Sequence, residues 1–276
     1  MNILVPIDFT APSIKAIHYA FETANALKAQ VFFLHIISSK KKFESEDQRS
    51  KEIRQIEKEM TRLTRAYPNQ AAGTHPAGLP VINLVSIGKV EEMISSVCST
   101  KKIDLIILGT RDKHNPVDYL LGSVSSTLIQ LTPCPMIIVP EKTPVEAIRN
   151  IAIATDDEYI HPPLVTFVNE LSEKLKARVE KVYIYPLPKD FSDKKEEVYN
   201  PTWMEDKVDP QAEMIIVRDP LVVRGLDYFI DKHQIDLLAL YVPHRKGWEK
   251  YLHRSLSKRM IYHTHIPVLI WNHRIR

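Results

Sequence analysis

The chain has 276 residues, 44% hydrophobic and 26% charged, with a formal net charge of +3 at pH 7. This composition fits one large or two ordinary globular domains. The charge is too small to drive binding to nucleic acid or an anionic membrane, and no apolar run approaches the ~20 residues of a membrane span.

Asn2–Ile7 is a short apolar run that reads as a strand, with no basic-then-apolar leader before it, so the expected location is cytoplasmic. Asp8, Phe9 and Thr10 turn the chain. Pro12 is tolerated in the first turn of a helix, and Ile14, Ile17, Ala20, Phe21, Ala24 and Leu27 follow at helical spacing. Val31–Ile37 reads as a second strand, apolar enough to be covered on both faces. The charged stretch from Lys40 to Arg65 carries Ile53, Ile56, Met60 and Leu63 three and four apart, the pattern of an amphipathic surface helix. Val81–Ile87 is a third strand, Lys89–Thr100 a helix and Ile103–Leu108 a fourth strand, which Gly109 breaks. A polar loop leads to Gly122-Ser123. Ser123 stands at an N-cap position before Val124, Leu128 and Ile129, then Pro133 and Pro135 stop that helix, and Met136–Val139 reads as a buried strand. Strand and helix alternate throughout, which predicts an α/β fold with a doubly wound parallel sheet. A loop that leaves the carboxyl end of a strand and closes on a helix N-terminus is a natural anion site, and Gly109 and Gly122 would let backbone approach a ligand closely. Cys98 and Cys134 read as two buried thiols in a reducing setting.

The pattern then restarts. Asn150-Ile151 to Asp156 repeats Asn2-Ile3 to Asp8 at an offset of 148, and the same offset aligns Leu175-Lys176-Ala177 with Leu27-Lys28-Ala29. At an offset of 132, Ile235-Asp236-Leu237 matches Ile103-Asp104-Leu105, and Tyr251-Leu252, Ser255, Ser257 and Pro267 match Tyr119-Leu120, Ser123, Ser125 and Pro135. Two segments, each at a constant offset, indicate a tandem duplication with domains at 1–142 and 149–276. The second copy lacks 16 residues where the first has its charged helix; Pro186–Pro210 reads there as a polar loop, with Trp203 as an anchor.

Gly109, Gly122-Ser123 and the spacing between them resemble the Gly-x2-Gly-x9-Gly-(Ser/Thr) motif of the universal stress protein (UspA-like) family, as ILVPIDFT resembles its opening strand ending in an Asp. Asp112 stands where the motif has its second Gly. The resemblance implies two tandem Rossmann-like (adenine nucleotide alpha hydrolase-like) domains about a pseudo-twofold axis, pairing through their last strands, Met136–Val139 and Val268–Trp271, with a homodimer as a further assembly. It implies a cytoplasmic stress-response protein. The site it implies in domain 1 binds ATP or AMP, with Mg²⁺ if ATP, through Asp8, Ile36, Gly109, Arg111, Asp112, Gly122, Ser123 and Val124. In copy two only Ser255 survives of the motif, since Tyr241, His244 and Arg254 stand at the positions of Gly109, Asp112 and Gly122. Nucleotide binding there is therefore not expected.

Each site residue also has a structural reading. Asp8 either contacts a nucleoside at the carboxyl edge of the sheet or makes an Asx turn capping the first helix. Ile36 alone is an ordinary core residue, the glycines serve turn geometry, and Ser123 serves an N-cap. Asp112 tolerates left-handed backbone, but its carboxylate would repel a polyphosphate unless Mg²⁺ intervened. His263-x-His265 reads as a solvated pair rather than a metal site, having no Cys or carboxylate at ligand spacing. No P-loop, no GxSxG elbow and no acid–base set occurs, so no catalytic residues are expected. A non-binding interaction protein and a slow ATPase remain as alternative functions.

Overall fold

The computed structural model describes residues 1–66, 80–110, 127–129, 132–155, 160–186, 207–209, 214–242 and 264–275. Two compact units form, Met1–Ala147 together with Arg274–Arg276, and Ile148–His273.

Unit 1 runs β1 (Asn2–Ile7), α1 (Ala11–Leu27), β2 (Gln30–Ser38), α2 (Glu46–Ala66), β3 (Val81–Gly88), α3 (Val90–Thr100), β4 (Leu105–Thr110) and β5 (Met136–Pro140). Its strands lie in the order β3-β2-β1-β4-β5, all parallel. The central strands are apolar because helices cover both faces: Ile3, Leu4 and Val5 of β1 and Leu105, Ile106 and Ile107 of β4 are fully buried. The chain winds outward from β1 through β2 to β3, then crosses back to place β4 on the other side of β1. That reversal puts a topological switch point at the carboxyl ends of β1 and β4, the place where open α/β sheets bind ligands.

Unit 2 runs β6 (Asn150–Thr155), α4 (Pro162–Leu175), β7 (Arg178–Pro186), β8 (Lys207–Asp209), β9 (Met214–Asp219), α5 (Val222–Lys232), β10 (Leu237–Val242) and β11 (Val268–Asn272). Its order is β11-β10-β6-β7-β9-β8. All neighbours are parallel except β8, which lies antiparallel to β9. The stretch read as a polar loop at Pro186–Pro210 therefore contains a short edge strand. Trp203 lies outside the described residues.

Several of the duplicated identities have a physical purpose. Asn2 donates its backbone N–H to Asp104 Oδ2 at 2.7 Å and its side-chain amide to the Lys101 carbonyl at 2.9 Å, while the Asp104 N–H returns to the Asn2 carbonyl at 2.9 Å. Asn150 and Asp236 repeat this clasp: the Asn150 N–H donates to Asp236 Oδ2 at 2.8 Å, its amide to the Gln234 carbonyl at 3.0 Å, and the Asp236 N–H to the Asn150 carbonyl at 2.9 Å. The repeated Leu-Lys-Ala is a helix stop. Lys28 (φ 51°) and Lys176 (φ 55°) both take the left-handed conformation, and the following alanine donates its N–H back to Ala24 and Ser172 carbonyls at 2.9 Å. This is a Schellman closure made without glycine. Lys102 (φ 48°) and Gln234 (φ 50°) match in the same way after α3 and α5.

Two sequence expectations shift. The fourth strand begins at Leu105 and not at Ile103, because Asp104 is held in the clasp. Gly109 does not end it: Gly109 and Thr110 continue the ladder, paired with Val139 and Pro140.

Candidate functional site

Three of the sequence-derived site residues fall among the described ones. Asp8 follows β1, Ile36 lies near the end of β2 and Gly109 near the end of β4. These are neighbouring strands of one parallel sheet, so all three sit toward its carboxyl edge at the switch point. Arg111, Asp112, Gly122, Ser123 and Val124 lie outside the described residues, as do Asp156 and His263.

Asp8 makes the Asx turn. Its Oδ1 accepts the Thr10 N–H at 3.0 Å and the Thr10 hydroxyl at 2.6 Å, fixing the turn that launches α1. Burial pushes the Asp8 carboxyl up, but the Thr10 hydroxyl, the Thr10 N–H and the Ser13 hydroxyl together outweigh it and hold the group below its ordinary range. A depressed folded value means that the stability from these bonds is fully present above the unfolded carboxyl range and is lost as pH falls through the folded value. Thr10→Val removes one donor. It should raise the Asp8 titration midpoint, read by carboxyl carbon NMR across acid pH, and an unmoved midpoint would show that the hydroxyl does not hold the charge.

Gly109 is needed for a reason that the sequence did not disclose. A Cβ built on it would lie 1.8 Å from the Pro12 carbonyl oxygen and 2.4 Å from its carbon. The first turn of α1 therefore rests its backbone directly on β4. The glycine serves close packing of helix on strand, not a left-handed turn.

Sequence reasoning missed Phe9 and its surroundings. Phe9 has φ 63°, a left-handed conformation uncommon for a bulky side chain, and its strain sits at the sheet's carboxyl edge. Its ring centroid lies 4.9 Å from that of His35, whose Nδ1 is 2.8 Å from the Ile7 carbonyl oxygen and donates to it. Phe9 forms one wall of an open cleft of about 460 Å³, and α2 forms the other with Gln48, Lys51, Glu52, Gln55, Ile56 and Glu59. The only sequence signal was the amphipathic pattern of α2, which says that a face is buried and not what it faces.

Unit 2 fills the corresponding place. Tyr241 stands at the repeat position of Gly109 and His161 at that of Ser13. Their rings stack at 4.2 Å with an interplanar angle of 10°. Trp271 packs behind them, 6.4 Å from His161 and 5.4 Å from Phe167. Burial pushes the His161 imidazole down, favouring its neutral form. Where unit 1 brings backbone onto backbone, unit 2 inserts two rings.

Outside these places, His265 Nε2 lies 3.6 Å from Asp231 Oδ1, with both side chains exposed. Among the described residues no cluster of three or more His, Cys, Asp or Glu could hold a metal ion, and no helix is long and apolar enough to cross a membrane.

The universal stress protein family model matches residues 1–140. A relative, universal stress protein MJ0577 of Methanocaldococcus jannaschii, is 27% identical over 157 residues, which are 51% of this chain and 95% of that protein. The crystal structure of a universal stress protein from Archaeoglobus fulgidus DSM 4304 matches with a TM-score of 0.68 and 13% identity, covering 98% of each chain. A putative universal stress protein from Pseudomonas aeruginosa UCBPP-PA14 matches with a TM-score of 0.57 and 14% identity, covering 98% of this chain and 92% of its own. At those identities the two structures speak for the fold. With the family match spanning 1–140 of 276 residues, the chain belongs to the universal stress protein family.

Proposed function

We propose that this stress-response protein binds one adenine nucleotide per chain, in domain 1, and acts through ligand-dependent association with partners rather than turnover. The observation that carries the reading is the contrast between the two copies. Asp8, Ile36 and Gly109 gather at the switch point of unit 1, whereas the Tyr241–His161 stack occupies the equivalent place in unit 2. The motif residues Arg111, Asp112, Gly122, Ser123 and Val124 extend the site on the phosphate side by family resemblance. The sequence offers no recognisable acid–base set, which ranks a slow ATPase below a binding role; phosphate release above buffer background with Mg²⁺ would reverse that ranking.

Calorimetric titration with ATP and AMP, with and without Mg²⁺, tests the reading. One site per chain is expected, lost in Gly122→Arg, which copies Arg254 of the second domain. Asp112 should set the preference between ligands. A carboxylate ~4–5 Å from a phosphate charge costs on the order of 1 kcal/mol in water and more in a cleft. ATP should therefore bind poorly relative to AMP, Mg²⁺ should narrow the gap, and Asp112→Gly should tighten ATP selectively by several-fold to about a hundredfold. Two sites per chain would overturn the assignment. No binding of any nucleotide would leave the protein a non-binding interaction module of the same fold.

The same proposal includes pairing of Met136–Val139 with Val268–Trp271, which removes two strand edges. Each belongs to the terminal strand of its own unit's order. Backbone amides of these strands that β4 and β10 do not use should exchange as slowly as those of β1; fast exchange there would refute the pairing.

A further inference from the structure

Cys98 and Cys134 are far apart in sequence, yet their sulfurs lie 3.5 Å from one another in the interior of unit 1. Cys98 belongs to the last turn of α3, and Cys134 precedes β5. The Thr132 hydroxyl donates to the Cys134 carbonyl at 3.2 Å and lies 3.7 Å from the Cys134 sulfur, so the second thiol is held on a fixed turn. The internal repeat supplies a control. At the offset of 132 the two positions are Ile230 and Ile266, both buried, and the Ile103→Cys98 backbone bond is matched by Ile235→Ile230. Two buried isoleucines thus take these positions in one copy. The thiol pair is not required by the fold and adds chemistry to the copy that carries the nucleotide motif.

We propose that Cys98 and Cys134 form a redox-active dithiol, a modification site that a peroxide converts to an intramolecular disulfide. The sulfurs need to approach by about 1.5 Å to reach bonding distance. The Cys134 thiolate attacks one oxygen of hydrogen peroxide and the O–O bond breaks. Hydroxide leaves, takes up the thiol's proton as water, and Cys134 becomes a sulfenic acid. The Cys98 sulfur then attacks the Cys134 sulfur, the S–O bond breaks, and a second water departs with the Cys98 proton. Two thiols lose two electrons in all, and one peroxide becomes two waters. The contact with Cys98 holds the Cys134 thiol below the ordinary range against burial, while the same contact and burial push Cys98 up, which fits Cys134 as the attacking sulfur. The closed loop contains β4, so oxidation ties α3 to the entrance of β5 across the strand that ends at the candidate site. In a reducing compartment such a bond is transient and signals oxidation.

These are the chain's only cysteines, so the reading is direct. The full-length protein is treated with hydrogen peroxide, quenched with catalase and alkylated with N-ethylmaleimide in denaturant. Reduced protein should take up two maleimides. Treated protein should take up none, run as a single chain on a non-reducing gel, lose the mass of two hydrogens and recover both thiols in dithiothreitol. A digest should yield one peptide joining 98 to 134. Cys98→Ala should leave Cys134 as a sulfenic acid trapped by dimedone. Retention of both thiols, linkage between chains, or direct passage to sulfinic acid in the wild type would overturn the proposal, whatever the nucleotide titrations show.

Discussion

Gly109→Ala is expected to destabilise unit 1 by about 3 kcal/mol, the upper part of the range for overpacking. The added methyl would meet the Pro12 carbonyl at 1.8 Å, and the obstacle is main chain at the start of a helix, which cannot rotate away. Relief requires lifting the first turn of α1 from β4, and the Asp8–Thr10 turn moves with it. Nucleotide affinity should therefore fall with stability. Gly88→Ala is the internal comparison. Its nearest obstacle is the Met93 side chain at 2.9 Å, a flexible group, and the expected cost is below about 1 kcal/mol. All three tryptophans, Trp203, Trp248 and Trp271, lie in the second domain, so tryptophan emission is no selective probe of unit 1. Amide exchange in β1, β4 and α1 is the appropriate measurement. Equal protection in Gly109→Ala and wild type would show that the helix does not rest on the strand.

Tyr241→Ala should cost unit 2 about 2–3 kcal/mol. Loss of an aromatic ring from a packed site removes transfer energy and leaves a gap, and the stack on His161 adds about 1 kcal/mol to that. Tyr241→Phe keeps the ring and should be close to neutral. The two variants separate packing from the hydroxyl. Trp271 stands beside the stack, so its emission should shift on Tyr241→Ala and not on Tyr241→Phe. Tyr241→Ala should not create nucleotide binding, because the motif positions at His244 and Arg254 are unchanged. A second site appearing in this variant would show that the ring alone closes the domain.

The strands and helices were legible because their signals are local. Apolar runs of six residues, helical spacing through α1 and α2, and the two constant offsets survive without knowledge of the fold. The duplicated Asn-Ile and Ile-Asp-Leu segments were visible as identities, but the clasp they form joins positions about a hundred residues apart and needed coordinates. The same holds for Cys98 and Cys134, each read correctly as buried, with nothing in the spacing to bring the sulfurs together. The packing demand on Gly109 was not legible: a missing Cβ looks the same in sequence whether a turn, a ligand or a helix demands it. Phe9 was read only as part of a turn, because left-handed backbone at a large residue has no compositional mark. Tyr241 was aligned with Gly109 as a lost glycine, whereas its ring is a gained contact.

The Asn–Asp clasp closes chains of different length in the two units, spanning 102 residues in the first and 86 in the second. Loop-closure entropy grows only with the logarithm of length, so the difference amounts to roughly 0.2 kcal/mol. The frame of strands is thus nearly indifferent to what is threaded between β2 and β3 or between β7 and β9. A charged 21-residue helix in one unit and a different segment with a short edge strand in the other hang from the same scaffold at almost equal entropic cost. Covers can be exchanged while the frame stays, which lets two halves of one chain diverge in what they hold without either ceasing to fold.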